Sequence, residues 1–286
     1  MKKIIKVQIL FIWLISQCFS CTETRKTVVD TATETTTVSS DKTYTFDTAV
    51  SWQDNFDING NIDQTKWGYD LGGSGWGNNE LQNYTDVNGT VSNGNLVITT
   101  KKESSNGKDY SSTRLVSRGK GDFLYGRFVF RAKLPQGKGT WPAIWMLPTE
   151  NAFGIWPKSG EIDIMESVGF DPNKLFFTIH TLSYNGSSGT QKGVNKTFED
   201  IYNTYHIYRL DWTPYSLKFF TDDVQVFEYL NDGKGYASWP FNKKFYILIN
   251  NAVGGNWGGQ QGIDNSIFPT TMTVDYVKVY NCTNCN

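Results

Sequence analysis

The chain has 286 residues, a formal net charge of −1, and an aromatic content of 15% that includes 10 tryptophans. This charge balance argues against a nucleic-acid-binding surface, which needs an excess of Lys and Arg. Abundant aromatic residues and Gly, with few charges, favour strands, turns and flat stacking surfaces over helices.

The first 21 residues are typical of a bacterial export signal. Three lysines precede a mostly apolar stretch at residues 7–15, which is too short to span a bilayer. Cys21 follows a small residue, Ser20, and is our preferred lipidation site; Cys18 is second, and an ordinary secretory signal is the remaining alternative. We therefore expect an exported protein, an outer-membrane or cell-surface lipoprotein or otherwise secreted, whose only membrane contact is its lipid anchor.

Both flanks of the central region have a simple composition. Residues 22–44 are rich in Thr and Ser and predict a flexible linker. At the other end, Cys282 and Cys285 lie in a short tail, residues 282–286, and the body before them has no cysteine. A lone C-x-x-C without a nearby histidine argues against zinc, so we expect a local disulfide, with a redox-active pair as the alternative.

The body, residues 45–281, has the rhythm of a β-protein. Alternating or continuous apolar runs predict strands, and Gly, Asn and Asp turns separate them. A short turn of helix is predicted only at residues 198–202. With no break in composition, these features favour one all-β domain, a sandwich or jelly roll. The predicted strands are residues 95–100, 126–132, 176–180, 205–212, 216–220, 245–250 and 272–280.

One predicted strand, E-I-D-I-M-E at residues 161–166, carries three acids. Side chains alternate along a strand, so Glu161 and Asp163 share a face, while strict alternation would turn Glu166 away. One β-bulge at Ile164 and Met165 would bring Glu166 back. A retaining glycosidase needs such paired carboxyls, one as nucleophile and one as acid/base. An exposed acidic face and a metal site are the alternatives, and the metal site is disfavoured because both histidines lie apart in sequence.

This segment resembles the E-I-D-[IV]-M-E signature of glycoside hydrolase family 16 in its bulged form. W-P-A-I-W at residues 141–145 and A-V-G-G-N-W at residues 252–257 are similar to the laminarinase branch. The resemblance runs in order from about Trp52 to Tyr280. It implies an all-β fold, the β-jelly-roll sandwich of concanavalin A-like lectins and glucanases, with a cleft on its concave face.

The resemblance also implies a function. We expect an endo-acting, retaining β-glucanase that hydrolyses β-1,3 bonds in laminarin-type or mixed-linkage glucans. Its partner would be the β-glucan polysaccharide, with no nucleic acid, and the protein would be a monomer. A family 16 galactanase of the agarase, porphyranase or carrageenase type is the alternative. A non-catalytic glycan-binding lipoprotein is disfavoured because both glutamates are present.

The catalytic roles follow from the same resemblance. It assigns Glu161 as the nucleophile, Glu166 as the general acid/base, and Asp163 as an assisting residue. Two negative neighbours raise the cost of ionising Glu166, which keeps it protonated. His180 is expected near the acid/base, with a purely structural role as the alternative, and we interpret His206 as structural.

Aromatic and polar residues outside this strand are the candidates for binding sugar. On an extended strand Trp141 and Trp145 face one side, where flat indoles suit pyranose rings, although core burial is the alternative. Trp257 lies in a Gly-rich loop that can approach a ligand closely. The candidate substrate-binding residues are Trp141, Trp145, Trp257, Asn79, Glu80 and Arg118.

No cofactor is expected for catalysis, but many members of the family hold a calcium ion on the convex face. The matching positions are Asp275 through its side chain, with Asn55 and Gly94 contributing oxygens, the donors that calcium prefers. Relatives often carry an acid where this chain has Asn55. That difference reduces the ligand charge, so a structural calcium ion is an open expectation.

Overall fold

The computed structural model describes residues 43–285, and these form 18 strands. The predicted signal, Cys21 and residues 22–42 of the predicted linker lie outside the described residues. In chain order the strands are β1 (Trp52–Asp54), β2 (Gly68–Tyr69), β3 (Gln82–Tyr84), β4 (Gly89–Ser92), β5 (Asn95–Ser105), β6 (Lys108–Ser112), β7 (Arg114–Val116), β8 (Asp122–Phe123), β9 (Gly126–Lys133), β10 (Thr140–Pro148), β11 (Glu161–Glu166), β12 (Lys174–His180), β13 (Lys192–Thr197), β14 (His206–Trp212), β15 (Ser216–Thr221), β16 (Val224–Leu230), β17 (Phe245–Val253) and β18 (Thr270–Tyr280).

The strands form two sheets. A ten-stranded sheet has the order β16-β15-β14-β9-β18-β5-β6-β3, with β1 beside β18 and β4 beside β5. An eight-stranded sheet has the order β13-β12-β11-β10-β17-β7-β2, with β8 beside β17. Among the described strands only β3 and β6 pair in parallel. Every strand predicted from sequence is confirmed, within a few residues at its ends.

The core contains side chains from both sheets. Strand β9 alternates between buried and partly exposed residues, so Phe128 and Phe130 enter the core while their neighbours do not. Strand β17 is buried along its whole length because one face lies in the core and the other in the site described below. Each large apolar side chain buried in this way contributes about 1.5–3 kcal/mol to folding.

The helix predicted at residues 198–202 is wrong. This segment forms hydrogen-bonded turns between β13 and β14. Asp200 has a φ of 55°, in the left-handed region, so a right-handed helix cannot continue through it. Ile201 in this segment is fully buried in the core without being helical.

Little helix is present in the described residues. One short α-helix, α1, spans Gly255–Gly258, and 3-10 turns span Gly186–Ser188 and Asn265–Ile267. None of the helices between residues 43 and 285 is long and apolar enough to cross a membrane.

The two ends of the described chain meet. Phe46 forms a β-bridge with Cys282, and the Thr283 amide donates to the Thr45 carbonyl at 2.9 Å. The expected local disulfide between Cys282 and Cys285 is confirmed. The C-terminal tail is therefore pinned to the start of the domain.

Candidate active site

Strand β11 contains the predicted bulge. Against β12, Asp163 is opposite Thr178 and Glu166 is opposite Phe176. Strand β11 therefore contains one residue more than β12 over this interval. Pairing with β10 shifts at the same place. As a result Ile164 and Met165 both enter the core, and all three acids line one cleft on the opposite face. The cleft is lined by Trp76, Asn78, Glu80, Arg114, Trp141, Ala143, Trp145, Glu161, Asp163, Glu166, Asn250 and Ala252.

Two indole N–H groups hold the outer glutamates. Trp141 Nε1 donates to Glu166 Oε1 at 2.9 Å, and Trp156 Nε1 donates to Glu161 Oε2 at 2.8 Å. An indole can only donate, so each bond orients a carboxyl group without competing for its proton. Each glutamate is thus held by an indole from a different part of the chain, Trp141 from β10 and Trp156 from the loop before β11.

His180 contacts the other two acids. The Gly186 amide donates to His180 Nδ1 at 3.0 Å, which makes Nδ1 an acceptor and places the proton of the neutral ring on Nε2. His180 Nε2 lies 3.3 Å from Asp163 Oδ2 and 3.9 Å from Glu161 Oε1. His180 therefore lies closest to Asp163 and Glu161, and it also lowers the pKa of Glu166, the residue near which it was expected.

Burial makes all three carboxyls hard to ionise. Burial first, and then the charge of Asp163, raises the pKa of Glu161 to about 8. Burial raises the pKa of Glu166 to about 7, although the hydrogen bond from Trp141 acts in the opposite direction. Burial, together with the charge of Glu166, also raises the pKa of Asp163 well above its usual range. The site therefore retains at least one proton near neutral pH, as an acid catalyst requires.

The raised pKa values do not distinguish the nucleophile from the acid. A nucleophile must be ionised and an acid protonated, and burial raises the pKa of both Glu161 and Glu166. The expected roles, Glu161 as nucleophile and Glu166 as acid/base, rest on the positions of the two residues in the family motif.

The predicted tryptophans occupy different positions. Trp141 and Trp145 line the cleft, as expected for stacking surfaces. Trp257 is half-buried against Trp141, edge to face at 5.3 Å between ring centroids, and against Phe176 at 4.7 Å. It packs on Trp141 outside the lining of the cavity, and its role in substrate binding stays a prediction.

A cation lies between two indoles in the cleft. The guanidinium group of Arg114 is 4.8 Å from the Trp76 ring centroid and 4.7 Å from that of Trp145. Asp70 balances its charge at 3.0 Å. Sequence reasoning missed both Arg114 and Trp156, because a buried arginine and an indole beside a carboxylate are tertiary features.

The three polar candidates differ in position. Glu80 lines the cleft, where it was expected. Asn79 donates to Asn256 Oδ1 at 2.8 Å and ties two loops together, while its neighbour Asn78 lines the cleft. Arg118 lies outside the lining and donates to the Thr149 carbonyl at 2.9 Å. Roles for Asn79 and Arg118 in substrate binding stay predictions.

These features have a counterpart among known proteins. The model of glycosyl hydrolases family 16 matches residues 77–278. The chain belongs to this family. It is 46% identical over 239 residues to a beta-glucanase of Rhodothermus marinus, a match that covers 80% of this chain and 84% of that protein.

Solved structures of family 16 hydrolases share the fold. The laminarinase from Rhodothermus marinus superposes with a TM-score of 0.81 at 44% identity, covering 85% of this chain and 100% of that one. SCLam, a non-specific endo-beta-1,3(4)-glucanase crystallised with 1,3-beta-D-cellotriosyl-glucose, gives 0.79 at 44% identity over 85% and 96%. The predicted β-jelly-roll and glycoside hydrolase class are therefore confirmed.

Two sets of residues in this family 16 hydrolase bear on metals. Ligand atoms of Glu161, Asp163 and His180 lie within 4.8 Å of one another. Glucanases of the family need no cofactor for catalysis. We therefore assign no metal to the cleft.

The register partly supports the expected calcium site. Asp275 lies between the part of β18 that pairs with β5 and the part that pairs with β1, while Gly94 directly precedes β5 and Asn55 directly follows β1. Its carboxylate, the only one in the set, is ion-paired with Arg131. One shared carboxylate and neutral oxygens form a weak donor set, and the calcium site stays a prediction.

Proposed function

We propose that this family 16 hydrolase is an endo-acting β-glucanase that cleaves β-1,3-glucosidic bonds with retention of configuration. The observation that carries the proposal is the bulge in β11, which places three carboxyls in one cleft beneath Trp141 and Trp145. Similarity to a laminarinase and to a non-specific endo-beta-1,3(4)-glucanase supports β-1,3-glucan as the substrate class and makes mixed-linkage glucan a second substrate.

The first half of the reaction uses both glutamates. Ionised Glu161 attacks the anomeric carbon while Glu166 gives its proton to the departing glycosidic oxygen. Trp156 and His180 orient the nucleophile, and Trp141 orients the acid. The products are a glucosyl ester on Glu161 and a shortened glucan with a new hydroxyl group.

The second half restores the enzyme. Glu166, now ionised, takes a proton from water, and the resulting hydroxide attacks the same carbon and releases Glu161. Two inversions give net retention. His180, whose Nε2 lies 3.9 Å from Glu161 Oε1, places its N–H group beside the carboxylate that leaves.

Release of reducing ends tests the substrate. The described domain, from Thr43 onward, would be assayed on laminarin, mixed-linkage glucan, agarose and carrageenan, together with Glu161→Gln and Glu166→Gln. Glu199→Gln is a matched control, since it makes the same change at an exposed position. We expect both cleft variants to lose laminarin cleavage and Glu199→Gln to keep it. Cleavage confined to a galactan would overturn the substrate assignment.

Azide rescue tests the two roles. In Glu161→Ala, azide should take the place of the nucleophile and give an α-glucosyl azide. In Glu166→Ala, azide should attack the glucosyl-enzyme and give a β-glucosyl azide. The opposite anomers would exchange the two assignments.

We further propose export and lipid anchoring through Cys21, with the enzyme as a monomer at the outer membrane or cell surface. The sequence of the first 21 residues supports this proposal. Labelling with a fatty-acid analogue should be lost in Cys21→Ser and kept in Cys18→Ser, and the reverse result would move the anchor to Cys18. Light scattering of the soluble domain should give the mass of one chain.

A further inference from the structure

A chain of hydrogen bonds crosses the floor of the cleft. Trp145 Nε1 lies 2.7 Å from Asn250 Oδ1, Asn250 Nδ2 lies 3.1 Å from Tyr84 Oη, and Tyr84 Oη lies 3.2 Å from Glu80 Oε2. Tyr84 is fully buried and Asn250 nearly so. The chain therefore links a predicted sugar platform to a carboxyl group through the interior.

The indole of Trp145, at one end of the series, fixes the direction of every hydrogen bond in it. An indole N–H can only donate, so the Asn250 oxygen must accept and its NH₂ group must donate to Tyr84. Tyr84 has a single proton, and burial raises its pKa well above the usual value, so it remains a donor. That proton points to Glu80, and an ionised carboxylate, which only accepts, completes the series.

Glu80 is itself held in place. Its backbone forms a β-bridge with Gly254, and its carbonyl accepts from Lys108 Nζ at 3.1 Å. Its carboxylate also accepts from Gln82 Nε2 at 2.7 Å. Burial raises the pKa of Glu80, whereas the donors Gln82 and Tyr84 and the charge of Arg114 favour the ionised form.

Glu80 and Glu166 line the same cleft, so the charge of Glu80 acts on Glu166. Burial is the main cause of the raised pKa of Glu166, and the negative charges of Glu161 and Glu80 add to it. His180 acts in the opposite direction, and Trp141 donates to the same carboxyl. Glu80 is the only one of these charged neighbours outside β11 and β12.

We propose that Glu80 is a positioning residue: its carboxylate anchors the relay that orients Trp145, and its charge holds the transferable proton on Glu166. The inference rests on the proposed function, because it assumes that Glu166 is the acid. It links sugar binding and proton donation to one residue that contacts neither reacting atom.

Two substitutions separate the two effects. In Glu80→Gln the amide oxygen can still accept from Tyr84 and Gln82, so the relay remains while the charge is lost. In Tyr84→Phe the charge remains while the relay is broken. Glu80→Asp keeps the charge on a shorter side chain and serves as a second relay variant if Tyr84→Phe fails to fold.

The experiment measures kcat and KM on laminarin oligosaccharides against pH, with Glu199→Gln as the control. Glu80→Gln should move the alkaline limb of kcat to lower pH by roughly half to one unit, because removing a negative charge makes Glu166 easier to ionise. Tyr84→Phe should leave that limb in place and raise KM about 3- to 10-fold, because Trp145 loses its fixed orientation.

Each failure is distinguishable. A Glu80→Gln profile that superposes on the wild-type profile overturns the proton-holding role, and an unchanged KM in both Tyr84→Phe and Glu80→Asp overturns the relay. Activity retained in Glu161→Gln and Glu166→Gln would instead overturn the proposed function. Thermal unfolding of each variant, matched to wild type, excludes global misfolding as the cause of a change.

Discussion

Replacing Glu161 by glutamine should make the folded protein more stable at alkaline pH although it abolishes hydrolysis. Burial raises the pKa of this carboxyl from 4.5 to about 8, so ionising it costs more in the folded chain than in the unfolded chain. At about 1.4 kcal/mol per pH unit, the cost reaches about 5 kcal/mol once both states are ionised. Sharing of protons with Asp163 and Glu166 makes this an upper limit.

The direction of the effect follows from linkage. Since the folded pKa is raised, stability from the protonated carboxyl is complete below pH 4.5 and is lost as the pH rises to about 8. Glutamine does not ionise, so the free energy of unfolding of the variant does not fall with rising pH through this residue. Burial of a neutral amide with the same shape leaves the packing unchanged.

Urea unfolding followed by tryptophan fluorescence would measure the effect at about pH 5 and about pH 9. Between these values the free energy of unfolding of the wild type should fall by on the order of 2–5 kcal/mol more than that of Glu161→Gln. Glu199→Gln, at an exposed position, should follow the wild type. Parallel pH profiles for wild type and Glu161→Gln would refute the argument that burial controls this carboxyl.

Three further substitutions test other contacts. Trp156→Phe removes the indole donor to Glu161 and should lower kcat on laminarin about 10-fold, and an unchanged kcat would contradict its orienting role. Gly169→Ala would place a Cβ 1.7 Å from the Gly137 carbonyl and should cost about 3 kcal/mol or more; a wild-type Tm would contradict this. Replacing both cysteines of the Cys282–Cys285 pair by serine opens only a short loop, so urea unfolding should show a loss of about 2 kcal/mol at most, and a larger loss would show a wider role.

The local sequence pattern predicted much of the fold and part of the site. Alternation predicted the strands, and the spacing of the three acids predicted a bulge at Ile164 and Met165, because both features depend only on residues close in sequence. Contacts across the cleft join residues that are distant in sequence, and the local pattern does not predict them. Arg114 reaches its position between two indoles only after β7 and β10 have entered the same sheet, so its spacing in sequence carries no signal.

The positions of two candidate residues depend on tertiary contacts. Adjacent residues in a loop have no fixed period, so the directions of Asn78 and Asn79, with φ values of 52° and 53°, do not follow from the sequence. Trp257 packs against Phe176, which lies on a different strand, and the sequence carries no signal for that contact. The roles of Asn79 and Trp257 in substrate binding stay predictions.

The bulge in β11 leaves the motif free to change length at one position. Deleting Met165 would give E-I-D-I-E, in which strict alternation again puts the three acids on one face. A residue inserted between Glu161 and Asp163 would instead turn one acid into the core. Loss of one residue at the bulge therefore preserves the carboxylate face, whereas gain of a second residue there would turn Glu166 into the core.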